Sequence, residues 1–140
     1  MAGPLDKYLI SHGAIIILIG LFSGLMYWQM TIRDKRPDVI RGWRIAHVFL
    51  VIEGMFIVIV GLVIPHLVLS GLAVRVLVWT IAGSGYGFAW AFIGGAWKGY
   101  RGLTLMPYGL NTILFLGLSI GEGGSFIGIG LVIYGSFKAI

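Results

Sequence analysis

The sequence has no cysteine and few charged residues, and each shortage excludes a class of protein. Without cysteine there can be no disulfide, no iron–sulfur cluster and no thiolate-bound zinc. Charged residues make up only 11% of the 140 residues, whereas 59% are hydrophobic, compared with about 45–50% apolar residues in soluble domains. So little polar surface cannot cover a water-soluble globule, and the composition predicts an integral membrane protein.

The sequence also lacks the motifs of soluble enzymes. It contains no phosphate-binding loop, no dinucleotide-binding glycine pattern, no HExxH and no recognisable Ser/His/Asp set. The net charge of +5 comes largely from one stretch, residues 33–44, between two apolar runs, which is typical of a membrane-protein loop. We therefore expect a lipid bilayer around the protein and no nucleic acid as a partner.

Four apolar segments are long enough to cross a bilayer as helices. They cover about residues 12–30, 43–64, 72–97 and 110–136. None alternates apolar and polar residues with the period of a barrel strand. The predicted fold is all-α and integral to the membrane, a single four-transmembrane-helix bundle over residues 1–140. Because so thin a bundle has little interior, we expect an oligomer with a site between subunits.

The charges of the loops predict an orientation. Seven Lys and Arg residues lie in the first and third loops, and three lie on the other side. This excess predicts that loops 1 and 3 are cytoplasmic. We expect the membrane to be the cytoplasmic membrane of a bacterium or an archaeon. The seven residues are Arg33, Lys35, Arg36, Arg41, Arg44, Lys98 and Arg101.

The second apolar segment contains a histidine and a glutamate, His47 and Glu53. Ionisable groups at this depth are costly and mark a functional site that needs a partner. On a helical wheel, His47, Gly54 and Gly61 recur at heptad spacing, which places the imidazole at one end of a stripe of small residues. A haem ligated by His47 could pack on Gly54 and keep its second axial position open. The alternative is a hydrogen bond from His47 to a neighbouring helix.

Besides His47, the spans contain Glu53 and three further polar residues of interest. Glu53 is about 120° around the helix from His47, and either flanks the same cavity or forms a helix–helix hydrogen bond. Tyr86 places a hydroxyl near mid-membrane, where it needs a partner. Glu122 lies among glycines, and we expect a structural or interfacial role for it. His12, near the end of the first span, is expected at the membrane interface.

The 23 glycines include several pairs at four-residue spacing, which lets helix backbones approach closely. The simplest interpretation is tight packing within the bundle. The alternative is a subunit interface or a surface beneath a flat cofactor. The pairs are Gly20/Gly24, Gly83/Gly87, Gly117/Gly121 and Gly124/Gly128.

Several short motifs follow one another in a particular order over all four spans. They are His12-Gly13, Leu21-Phe22, Trp28, Gly42-Trp43-Arg44 leading to Ala46-His47, Gly54-Met55, Pro65, Gly87-Phe88, and Arg101-Gly102-Leu103-Thr104 followed by Pro107. In this order and spacing the chain resembles the styrene oxide isomerase family of small four-span membrane enzymes.

The resemblance implies a trimeric haem b protein with the haem between subunits. The axial histidine of the family falls on His47. Its ferric iron would act as a Lewis acid towards an epoxide oxygen, the epoxide would open to a benzylic cation, and a 1,2-hydride shift would give an aldehyde. The predicted metal ligand is thus His47, and the predicted cofactor-binding residues are His47, Gly54, Arg44 and Arg101. Glu53 and Tyr86 are the predicted catalytic residues of the distal pocket.

The chain departs from the family in its substrate shell. Glu53 replaces an asparagine, Ala89 stands at the position of a tyrosine, and Ile81 stands at the position of an aspartate. Tyr86 lies one turn before Ala89 on a similar face. These differences predict a retained haem site and a changed substrate shell. The consequence is either isomerisation of a different epoxide or loss of that activity, which would leave a haem protein of other use.

We therefore predict a membrane haem b isomerase that converts an apolar aryl or alkyl epoxide to an aldehyde or ketone. One alternative is a non-catalytic small subunit of a larger membrane complex, with His47 and Glu53 bonding between helices. A second is a haem electron carrier, with a methionine such as Met26 or Met55 as the other axial ligand.

Overall fold

The computed structural model describes residues 4–99, 103–106 and 108–140. Within these residues the chain forms four long helices and no strand, so the predicted all-α fold is confirmed. The helices are α1 (Leu5–Ile32), α2 (Pro37–Val63), α3 (Gly71–Lys98) and α4 (Leu110–Phe137). Each contains an 18-residue window with a mean hydropathy between 1.5 and 2.7, which is consistent with an integral membrane protein.

The helices extend beyond the apolar segments that predicted them. α1 begins at Leu5 rather than near residue 12, and α2 begins at Pro37 rather than near residue 43. Hydropathy marks only the part of a helix that lies in hydrocarbon, whereas the helix itself continues into the polar interface. Pro37 suits the first position of α2, where no backbone donor is needed. A short 3-10 helix, Ile64–His66, follows α2.

α3 is the central helix of the bundle. α1 and α2 form an antiparallel hairpin through residues 33–36, both helices contact α3, and α4 packs mainly on α3. Over its most apolar window α3 is 56% buried, compared with 17% for α4. α4 therefore exposes most of its apolar surface to lipid or to another protein.

Glycine allows close approach of the helix backbones in both halves of the bundle. A Cβ added at Gly13 would lie 2.8 Å from the carbonyl oxygen of Gly54. A Cβ at Gly87, on α3, would lie 2.7 Å from the carbonyl oxygen of Gly117 on α4. These contacts support the packing interpretation of the spaced glycines. Gly83 differs, because an added Cβ there would meet no described atom within 4 Å.

Candidate functional site

His47 is held by a main-chain carbonyl of the neighbouring helix α1. Its Nδ1 lies 2.9 Å from the carbonyl oxygen of Gly20. A carbonyl oxygen can only accept a hydrogen bond, so Nδ1 must donate and carries the proton of the neutral ring. Nε2 then keeps its lone pair, which is the state that a metal ligand requires. The bond expected under the alternative interpretation is thus present, and it leaves one ring nitrogen for a ligand.

The imidazole fits against α1 because residue 24 is glycine. A Cβ at Gly24 would lie 2.7 Å from Nδ1 of His47 and 2.9 Å from its Cε1, so a side chain there would displace the ring. His47 is half-buried, and the neighbouring apolar side chains Leu25 and Val48 are 59% and 50% exposed. The ring therefore lies at the edge of an open apolar face rather than in a sealed core.

The small-residue stripe predicted on α2 is present, but α1 covers it. A Cβ at Gly54 would lie 2.7 Å from the backbone nitrogen of Ile17, and a Cβ at Gly61 would lie 2.7 Å from Cγ1 of Ile10. No space is left for a macrocycle over Gly54. We therefore assign Gly54 to helix packing and not to cofactor binding.

Of the two arginines predicted to bind the cofactor, only Arg44 lies within the described residues. Arg44 is exposed one helical turn from His47, towards the end of α2 that begins after loop 1. A guanidinium in that position suits an anionic group at the polar end of a ligand bound to His47. Arg101 lies outside the described residues.

Glu53 is buried at the contact between α2 and α3. The hydroxyl of Ser84 lies 3.1 Å from Oε1 of Glu53 and 2.8 Å from the carbonyl oxygen of Ile81, so its single proton is shared between two acceptors. Because His47 bonds to α1, His47 and Glu53 face different helices. The helix–helix hydrogen bond that was the alternative for Glu53 is therefore present. Glu122 is exposed on α4.

Tyr86 is paired with His12, a contact that the sequence did not predict. The Tyr86 hydroxyl oxygen lies 2.7 Å from Nδ1 of His12, and the two rings meet edge-on with centroids 5.6 Å apart. Tyr86 is 38% exposed and His12 is half-buried. A phenol both donates and accepts, so His12 can act as donor or as acceptor in this pair.

Two more aromatic rings flank the pair. Tyr8 lies edge-on to His12, with centroids 4.5 Å apart, and edge-on to Trp79, with centroids 5.8 Å apart. Tyr8 and His12 are four residues apart on α1, and Trp79 and Tyr86 are seven apart on α3, so each pair shares a helix face. This spacing was visible in the sequence and could have identified both faces, but not that the faces meet.

His47 and Tyr86 bond to different parts of α1, His47 to Gly20 and Tyr86 to His12. His12 and Gly20 are eight residues apart, which corresponds to about 12 Å along the helix and about 80° around it. His47 and Tyr86 therefore contact α1 at points about two helical turns apart. Within the described residues, no three His, Asp or Glu side chains are grouped so that they could hold a metal ion.

Four apolar helices packed through glycines, with an imidazole nitrogen free at an open face, define a small α-helical integral membrane protein. The family model of styrene oxide isomerase matches residues 5–137, nearly the whole chain. The chain therefore belongs to the styrene oxide isomerase family, which confirms the resemblance and indicates an isomerase kind of enzyme. No curated protein matches the chain.

Proposed function

We propose that this protein is a membrane haem b isomerase that converts an apolar epoxide to an aldehyde or ketone. Membership of the styrene oxide isomerase family supports the reaction class. The observation that carries the assignment to residues is the bond from His47 Nδ1 to the Gly20 carbonyl, because it leaves Nε2 free to bind iron.

The residues around His47 fit a haem. Nε2 of His47 would hold the iron, the glycine at position 24 gives the ring its space, and Arg44 is placed to pair with a propionate. When bound, haem b would supply a ferric iron that acts as a Lewis acid towards an epoxide oxygen.

Tyr86 would stabilise the charge that develops on the epoxide oxygen. With His12 donating from Nδ1 to the phenol oxygen, the Tyr86 O–H proton stays available for a hydrogen bond to the substrate. One carbon–oxygen bond of the epoxide breaks, a hydride moves to the neighbouring carbon, and the remaining carbon–oxygen bond becomes a carbonyl. No atom or electron is gained or lost, so the protein need only position groups and exclude water.

The apolar surroundings suit this chemistry. The apolar side chains of Leu25 and Val48 lie beside His47, and such surroundings suit an oily epoxide. A dry site also protects a carbocation from attack by water. We place loops 1 and 3 on the cytoplasmic side, in line with their excess of Lys and Arg.

A complete site requires a second copy of the chain. Because His47 and Tyr86 contact α1 about two turns apart, at Gly20 and at His12, we propose that His47 of one subunit meets Tyr86 of the next. Two different faces that join head-to-tail generate a ring when the rotation between subunits closes, and the proposed trimer is such a ring. The open apolar face around His47 and the exposed Tyr86 are the surfaces that would meet.

The first test is an absorption spectrum of the detergent-purified protein, followed by an assay with aryl and alkyl epoxides. We expect a Soret band of a histidine-ligated ferric haem and a carbonyl product without added oxidant or reductant. A colourless protein after expression with ample haem would contradict the proposal and favour an interaction subunit. A coloured protein that turns over electrons but no epoxide would favour an electron carrier.

The second test separates a shared site from a site within one chain. His47→Ala and Tyr86→Phe chains, each of low activity alone, are co-expressed and purified as mixed oligomers. In a head-to-tail ring, random mixing restores roughly a quarter of the sites, because some intact His47 then meets an intact Tyr86. Activity no higher than that of either variant alone would contradict the shared site.

A further inference from the structure

A cavity whose lining includes neither His12 nor His47 lies at the loop 1 end of the bundle. Its volume is ≈ 470 Å³, within the range of about 300–1,000 Å³ that is usual for small-molecule sites. Ile45 of α2, Phe92 of α3 and Leu118 of α4 line its apolar part, and Leu103 lines it from the segment between α3 and α4. The cavity is thus a groove between α2 and α4 with α3 as its floor.

The mouth of this cavity carries charge. Arg41 and Asp38 line it at the start of α2. Asp38 has a partner of its own, because its Oδ2 lies 3.6 Å from Arg36. Arg41 has no ion-pair partner among the described residues, and it is exposed where the helix leaves the apolar region.

The whole loop 1 end is positively charged. Among the described residues it holds six Lys and Arg residues against two acidic ones, Asp34 and Asp38. The six are Arg33, Lys35, Arg36, Arg41, Arg44 and Lys98. The groove therefore combines a cationic mouth with an apolar depth, and from Pro37 to Ile45 it extends about 12 Å along α2.

We propose that this groove binds an anionic phospholipid. Its phosphate would pair with Arg41, since a guanidinium binds phosphate oxygens in a bidentate manner. One acyl chain would lie along Ile45, Phe92 and Leu118. A lipid fits better than a free anion because the groove is apolar below its mouth, and better than a neutral oil because the mouth is cationic.

This site is separate from the proposed reaction site. Ile45 and Phe92 lie at the contact of α2 with α3, whereas His47 bonds to α1. The lipid site does not depend on the haem, so the isomerase proposal can fail while the lipid proposal holds, and the reverse.

The test uses native mass spectrometry of the detergent-solubilised full-length oligomer with added phosphatidylglycerol or phosphatidylcholine. We expect phosphatidylglycerol to be retained about tenfold more than phosphatidylcholine. Both lipids carry a phosphate, but the choline cation of phosphatidylcholine compensates the charge that Arg41 would bind, whereas the glycerol headgroup leaves it uncompensated. Arg41→Gln should remove most of this preference. Lys35→Gln, an equal loss of charge at the same end but outside the groove, should leave it unchanged.

A second pair of variants tests the apolar part of the groove. Ile45→Trp should fill the groove and lower retention of both lipids, whereas Ile59→Trp, at another exposed position of α2, should not. Equal retention of the two lipids, or no effect of Ile45→Trp, would overturn the proposal. A change in oligomer mass in Ile45→Trp without lipid loss would overturn it too, because it would show that a neighbouring subunit fills the groove.

Discussion

His47 packs against α1 and His12 belongs to α1, but their hydrogen-bond partners restrict the tautomers of the two rings differently. Nδ1 of His47 faces the carbonyl oxygen of Gly20, and Nδ1 of His12 faces the hydroxyl of Tyr86. A carbonyl accepts only, so it fixes the tautomer of His47, whereas a phenol also donates, so the tautomer of His12 stays free. A main-chain partner is thus suited to a permanent ligand, and a side-chain partner to a group that responds to a substrate.

The largest effect should come from removing the fixed imidazole. His47→Ala should abolish haem binding, because no other half-buried histidine nitrogen is held with its lone pair free on that face. The ratio of Soret to protein absorbance measures this. His66→Ala, at an exposed position in the 3-10 helix after α2, should bind haem normally. Normal haem content in His47→Ala would remove His47 as the ligand.

The next largest effect should come from filling the space at Gly24 that the imidazole of His47 occupies. Gly24→Ala places a Cβ 2.7 Å from His47 Nδ1, so the ring must move and haem affinity should fall about tenfold or more. Unfolding free energy should drop by about 1–3 kcal/mol. The control is Gly123→Ala, where an added Cβ meets no described atom within 4 Å. Equal behaviour of the two variants would show that the Gly24 contact does not position the ring.

Substitutions in the His12–Tyr86 pair should lower turnover and leave haem binding intact. Tyr86→Phe removes the hydroxyl, and activity should fall about 10²-fold, as for the loss of one donor to a developing oxyanion. His12→Gln should have a smaller effect, since an amide can still bond to the phenol. Tyr134→Phe, an exposed tyrosine of α4, is the control. Unchanged activity in Tyr86→Phe would leave the His12–Tyr86 pair a structural contact.

The smallest effect should come from removing the hydrogen bond between Ser84 and Glu53, which involves neither His47 nor His12. Ser84→Ala leaves the buried Glu53 without its hydroxyl donor, and the free energy of unfolding should fall by about 1–3 kcal/mol with haem content unchanged. Ser119→Ala is matched, because its hydroxyl bonds only to the carbonyl of Phe115 in its own helix. Unfolding in mixed detergent measures both variants. A loss of haem in Ser84→Ala would instead link Glu53 to the site.

Much of the fold could be predicted from hydropathy and glycine spacing. Four apolar segments predicted four helices, and pairs such as Gly20/Gly24 and Gly117/Gly121 do lie at helix contacts. The starts of α1 and α2 were placed six or seven residues late, because polar interface residues are helical too. Hydropathy reports the surroundings of a segment and not its backbone conformation.

The site could be predicted only in part. The helical wheel predicts that His47 and Glu53 lie about 120° apart on α2. In the structure His47 accordingly contacts α1 and Glu53 contacts α3. The partner of His47 could not be predicted, because every helical residue offers a carbonyl. The His12–Tyr86 pair joins residues 74 positions apart, so it depends on how α1 and α3 meet.

Gly20, Gly24 and His47 all belong to one hairpin closed by residues 33–36. A short connection makes such local contacts quick to form, and a chain is synthesised from its N-terminus. The hairpin can therefore enter the membrane and present its imidazole nitrogen while α3 and α4 are still being translated. Tyr86 joins His12 only after α3 arrives. The order of the helices along the chain thus lets the His47–Gly20 contact form before the His12–Tyr86 contact during biogenesis.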